Sequence, residues 1–414
     1  MHPDAILSNL FRTEHRKITA VLVRYFGFEH IETAEDIVSE TFLSASENWK
    51  IKGPPENPAA WLYTVAKNKA KDHLKRDAIF NQKVQSVLQN EQHFYNEREI
   101  DLSEKNINDS QLQMMFAICQ PAIPAEAQIG LALRILCGFS IDEIADAFLT
   151  NRETINKRLH RAKEKLRTLK VKIAFPAGNE IDKRLETVLL TLYLLFNEGY
   201  YSNNGNTNLR KDLCLEAMRL NYLLIENNQT DVPAVNALFS LMCFHSSRFD
   251  ARTDQHGEII LYDDQDDSLW NDELITRGTN HLIRASQGDR LSRYHIEAAI
   301  AYWHTRKTPS PEKWESILQL YNKLLILEYS PMAALNRTYA LAKAKGNEAA
   351  IIEAEKLTQL TDTHLYHCLL GQLYTRLDNI KALQHLERAL SLTKVQSEKT
   401  TIRKNITAIK QLIG

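Results

Sequence analysis

Several things are scarce in this 414-residue chain. Its five cysteines, Cys119, Cys137, Cys214, Cys243 and Cys368, are scattered and form no Cys-x-x-Cys pair. This excludes a zinc-ribbon or disulfide framework and fits a reducing compartment. No stretch approaches the roughly 20 apolar residues of a membrane span, and Met1 to Lys17 is too polar for a signal peptide. The expectation is a soluble, cytoplasmic protein that engages no membrane. There is no Gly-rich phosphate loop, no His-Glu-x-x-His and no Gly-x-Ser-x-Gly, so no catalytic constellation, metal or cofactor is expected. The carboxylates of Asp263-Asp-Gln-Asp-Asp267, with His256 and Glu258 nearby, lack the spacing and central glycine of a calcium loop and read as a polar turn before Trp270. Net charge is scarce too, at -1, so no global field draws the chain to nucleic acid.

What is present is local. At 44% hydrophobic, the chain can bury two or three domains. Residues 140–167 read as two short helices joined by a tight turn, with capping-box patterns at Ser140/Glu143 and Thr150/Glu153. Ile155, Leu159, Ala162 and Leu166 make one apolar stripe on the second helix. Its other faces are basic: residues 152–172 hold nine Lys or Arg against Glu153 and Glu164. Residues 61–76 hold five, including Lys67, Lys71, Lys75 and Arg76, against Asp72. A capped helix with an apolar back and a basic front suits the major groove, and a second basic patch suits a two-site DNA binder. A solvated basic face is the plain alternative.

No strand alternation of any length is present, so the fold expected is all-α. Leu7, Leu10, Phe11, Ile18, Val21, Leu22 and Tyr25 pattern a first helix closed by Gly27. A second helix begins near Ala34 and a third near Pro58, with the turn-rich Lys50–Asn57 loop between them. Residues 1–76 form the first unit and 77–110 an acidic linker, in which Asp77, Glu91, Glu97, Glu99, Asp101, Glu104 and Asp109 outnumber Lys83, Arg98 and Lys105. A second helical unit spans 111–175 and ends at Phe175-Pro-Ala-Gly178. Residues 181–414 read as successive helices, and Leu369-Leu-Gly-Gln-Leu-Tyr374 with Ala382 and Ala389 suggests a tetratricopeptide-like repeat.

Ala34-Glu-Asp-Ile-Val-Ser-Glu-Thr-Phe-Leu43 and the segment Pro58 to Arg76 closely resemble region 2 of extracytoplasmic-function (ECF) sigma factors, and the helix-turn-helix resembles their region 4. Tyr193-Leu-Leu-Phe-Asn-Glu-Gly-Tyr200 and the repeat tail look like the subgroup with a large tetratricopeptide-type extension. The resemblance implies two small helical sigma domains plus a helical-repeat domain, no enzymatic activity, and bacterial core RNA polymerase and promoter DNA as partners. It assigns Asp36, Glu40 and Phe42 to polymerase docking. Lys52, Asn57, Trp61, Lys67, Asn68, Lys71, Lys75 and Arg76 fall to the -10 element, where Trp61 either stacks on a base or packs as core. Arg152, Glu153, Thr154, Asn156, Lys157 and His160 fall to the -35 element, with Arg158 and Arg161 on phosphates. The linker would thread the polymerase channels. The extension would regulate the factor in cis or bind a protein partner. A stand-alone helix-turn-helix regulator or adaptor with a partner-binding repeat domain is the alternative.

Overall fold

The computed structural model describes residues 3–85, 100–178, 180–201, 207–252, 260, 262–306, 310–393 and 396–413. Among them there is no strand. The helices are α1 (Pro3–Phe26), α2 (Ile31–Lys52), α3 (Pro58–Gln85), α4 (Glu104–Ile118), α5 (Ala125–Leu131, running into a π-helical turn at Ala132–Leu136), α6 (Ile141–Ala147), α7 (Arg152–Thr168), α8 (Ile181–Tyr200), α9 (Thr207–Ile225), α10 (Pro233–Ser246), α11 (Phe249–Arg252), α12 (Asp272–Ala285), α13 (Arg293–His304), α14 (Pro311–Leu327), α15 (Pro331–Lys345), α16 (Asn347–Ala354), α17 (His364–Tyr374), α18 (Asn379–Leu392) and α19 (Gln396–Ile413). None is long and apolar enough to cross a membrane. No group of three His, Cys, Asp or Glu among the described residues could hold a metal ion.

Two compact units result, residues 1–204 with 215–224, and residues 205–214 with 225–414. In the first, α1 packs against α2, α3, α4 and the π-helical turn. Helix α1 buries Ile18, Val21 and Leu22, and with them three consecutive polar residues, Glu14, His15 and Arg16. Buried polar groups cost stability unless paired. Glu14 takes the Tyr63 hydroxyl and Lys17, and Arg16 pairs with Glu216 of α9. Glu216 is also held by Arg219, whose guanidinium reaches Gln111 and the Leu136 carbonyl at 3.0 and 2.8 Å. Gly27, at φ 80°, closes α1 in a conformation that glycine tolerates. Helix α8 packs on α4 and α5, with Thr191 donating to Gln128 at 2.8 Å. The segment after residue 180 therefore begins inside this unit.

Helix α3 runs on to Gln85, and α4 starts at Glu104, so both ends of the 77–110 segment are helical. Residues 86–99, with Glu91, Glu97, Glu99 and Arg98, lie outside the described residues.

In the second unit α10 packs on α12 and α13, and from α13 onward each helix packs on the next. Such nearest-neighbour packing spreads stability along an array. Ser310 and Ser330 cap α14 and α15, each followed by a proline that suits the first helical position. At the α17–α18 hairpin, Asp378 caps α18, and a Cβ on Gly371 would stand 2.7 Å from Leu386 Cγ and 3.3 Å from the Ala382 carbonyl. Asp263 pairs with Lys343 at 3.2 Å and Asp266 caps a short turn at Asp267–Leu269, so these carboxylates serve a polar turn. His256 and Glu258 lie outside the described residues.

Two outcomes follow. Gly371→Ala gains about 1 kcal/mol of helix propensity but overpacks a site where overpacking costs ~1–3 kcal/mol. A net loss is expected, read as faster amide exchange in α17 and α18. His15 is 3% exposed between Phe11 and Phe42, and burial, aided by Arg134, holds its pKa down to about 4. The unfolded chain therefore takes up a proton that the fold refuses as pH falls. Stability is full above about pH 6.5 and falls by about 3 kcal/mol between pH 6.5 and 4. Amide exchange in α1 should accelerate over that window, and His15→Leu should flatten the response.

Candidate polymerase and nucleic-acid interfaces

Three outward helix faces carry the candidate residues. On α2, the buried positions Ile31, Ala34, Ile37, Val38, Thr41, Phe42, Ala45 and Trp49 set the phase of the helix. Asp36, Glu40, Leu43, Glu47 and Lys50 then fall on one exposed stripe. Phe42 belongs to the interior. It is 4% exposed and packs edge-on against Phe11 at 5.0 Å, so it cannot present its ring to a partner as expected. Its neighbour Leu43 is 60% exposed and Ile51 85% exposed. An acidic stripe interrupted by two bare apolar side chains is a surface for a partner with basic and apolar patches. Glu40 pairs with Lys69 of α3 at 3.2 Å, which ties this face to the next.

On α3, Thr64, Asn68, Lys71 and Lys75 form an exposed stripe at spacings of four, three and four. Arg76 is exposed beside it and Lys67 is half-buried at its flank. Asn57 caps the helix through Oδ1, which accepts from the Ala60 amide at 3.0 Å, so its amide nitrogen is what it can offer a ligand. Lys52 is exposed at the end of α2. Trp61 is half-buried, edge-on to the buried Trp49 at 5.5 Å. It packs and also meets solvent, as both expected roles require.

The third face is α7. Helix α6 is entered through the capping box, Ser140 and Glu143 exchanging bonds of 2.8 and 3.2 Å. The second expected box is absent, and Asn151 caps α7 by accepting from the Thr154 amide at 2.8 Å. The turn explains the shift. Leu149 takes φ 48° and the Thr150 amide bonds back to Ala145, placing Asn151 at the cap. Ile155, Leu159, Ala162 and Leu166 are buried as patterned, and Gly130 of α5 lets Leu159 approach closely. Arg152, Glu153, Thr154, Asn156, Lys157, His160 and Arg161 are exposed. Glu153 pairs with Lys157 at 2.6 Å, and Arg152 with Asp142 at 3.5 Å. Arg158 differs. It is half-buried, 2.8 Å from Glu126 of α5 and over the Phe148 ring, so it fastens α7 to its own unit.

Sequence reasoning passed over Leu43, Glu47, Ile51 and Thr64. The phase of the apolar positions on α2 and α3 contains all four.

Comparison with known proteins gives the geometry its context. Sigma-70 region 2 matches residues 10–78 and Sigma-70 region 4 matches residues 122–166. A family of unknown function (DUF6596) matches residues 184–286. The chain is 35% identical over 393 residues to an uncharacterized protein of Rhizobium meliloti, covering 92% of this chain and 90% of that one. It is 25% identical over 152 residues to the ECF RNA polymerase sigma-E factor of Haemophilus influenzae, covering 36% of this chain and 78% of that one. No solved structure matches. With Sigma-70 region 2 on α1–α3 and Sigma-70 region 4 on α5–α7, the chain belongs to the sigma-70 family.

Proposed function

We propose that the chain is an ECF-type sigma factor that directs bacterial core RNA polymerase to promoters bearing -35 and -10 elements. One observation carries this reading: an acidic docking face and a basic strand-binding face stand on adjacent helices, α2 and α3, ahead of a base-reading helix, α7. A stand-alone DNA-binding regulator needs only the last. Asp36, Glu40, Leu43 and Glu47 meet the polymerase. On α3, Lys71, Lys75 and Arg76 follow the backbone of the opened strand while Asn68, Asn57, Lys52, Lys67 and the open edge of Trp61 face an unstacked base. On α7, Arg152, Glu153, Thr154, Asn156, Lys157 and His160 face base edges in the major groove, and Arg161 holds a phosphate. The 77–110 segment passes through polymerase between the two regions.

The helices beyond region 4 form a tetratricopeptide-like extension that regulates the factor in cis and offers a face to a protein partner. The close Gly371–Leu386 approach at α17–α18 supports the repeat assignment. The packing of α8 on α4 and α5 supports action in cis.

Run-off transcription with core polymerase on promoter fragments tests the reading. Transcripts that need this protein and share two upstream elements are expected, and DNA binding without any such transcript would favour the adaptor. Asp36→Arg should weaken association with core by roughly tenfold, about 1.4 kcal/mol, with α7 binding to duplex unchanged. Asn156→Ala should cost ~1–3 kcal/mol at one base position and leave non-specific affinity intact, as binding-site selection would read out.

A further inference from the structure

Helix α14 begins at Pro311 behind the Ser310 cap, which places Lys313 in its first turn. That is a poor place for a cation, because the helix dipole there favours negative charge. Lys313 is also only 2% exposed, and burial pushes its pKa down to about 8. Its ammonium donates to two neutral oxygens, the Tyr262 hydroxyl at 2.9 Å and the Arg306 carbonyl. Asp263, the carboxylate whose charge steadies it, stands 3.2 Å from Lys343 of α15 instead. Two lysines therefore lean on one exposed carboxylate. Arg248 brings a third cation to the cluster, lying over the rings of Tyr262 and Trp270 at 5.4 and 6.0 Å.

The same cluster holds a donor with nothing to bond. Trp270 is 8% exposed, yet its indole Nε1 has no hydrogen-bond partner among the described residues. A buried donor without an acceptor is costly, and an incoming acceptor relieves that cost. Tyr262 joins this donor to the lysines, its ring 6.2 Å from Trp270 and 5.1 Å from the Lys313 ammonium. Tyr262 and Tyr339 are half-buried while Asp263 and Lys343 are exposed, so the cluster opens to solvent on the Asp263 side. An exposed ion pair such as Asp263–Lys343 contributes little and yields to a competitor of higher charge. We propose that Lys313, Lys343 and Trp270 form a binding site for the oxyanion of a small metabolite, a phosphate or a carboxylate, with Asp263 as its internal competitor. The rings of Tyr262 and Tyr339 at the mouth suit a flat ligand body.

This inference goes beyond the sigma-factor reading, and the test uses the full chain without polymerase. Inorganic phosphate, ATP and benzoate are titrated by calorimetry at one ionic strength, set with potassium chloride. Saturable binding in the millimolar range or tighter is expected for at least one of them. Binding of phosphate or ATP without benzoate assigns a phosphate ligand, and binding of benzoate alone assigns an aromatic carboxylate. Lys313→Met keeps the stem but removes the charge, and should weaken that binding about tenfold. Asp263→Asn should tighten it about threefold. No saturable binding of any probe, to the wild-type or the Asp263→Asn chain, would overturn the proposal, as would unchanged affinity in Lys313→Met. If Lys313→Met does not fold, Lys343→Met decides from its exposed position. A loss of about threefold or more supports the site, and unchanged affinity overturns it.

Discussion

Helix α1 buries Glu14, His15 and Arg16 in succession, and the first unit is arranged to satisfy them. An uncompensated charge in a core is far more costly than a missing methyl group, so partners must come from wherever the chain can bring them. Tyr63 comes from α3 and Glu216, itself held by Arg219, from α9, and two aromatic rings flank the neutral imidazole. Helices separated by some 200 residues are thereby fixed around one axis. The apolar residues of α1 would accept many neighbours, whereas its buried charges accept few.

Around that axis the reading faces are set by helical phase. Once the apolar positions of α2 are turned inward, its acids and Leu43 must face out. The same holds for the Thr64–Lys75 stripe of α3 and the polar front of α7. Under the proposed function, the exposed chemistry of each face suits its partner: carboxylates for a basic partner, ammonium and amide groups for a strand, and a capped helix for a groove. Arg158, Lys163 and Arg167 show that a basic helix is not uniformly a DNA surface. Each is half-buried against an acid of its own chain.

Much of this was legible in residue order. The all-α class, the Ser140 capping box, the apolar back of α7 and the glycine closing α1 all follow from short-range rules that operate within a few residues. The misplaced readings have equally local causes. The cap of α7 moved to Asn151 because Leu149 turns left-handed, which no propensity rule demands of leucine. The motif points Phe42 outward, whereas its spacing from Val38, Ala45 and Trp49 places it inward. The partners of Glu14, Arg16 and Glu35 could not be read at all, since the pairing of Glu35 with Lys163 or of Arg16 with Glu216 depends on contacts that the finished fold creates.

That an acidic docking face and a basic strand-binding face precede a base-reading helix in one chain is tested most directly by transcription from promoter fragments with bacterial core RNA polymerase and the full-length protein. Transcripts that appear only with this protein and share paired upstream elements are predicted. DNA binding by the purified chain without any such transcript would contradict the proposed function.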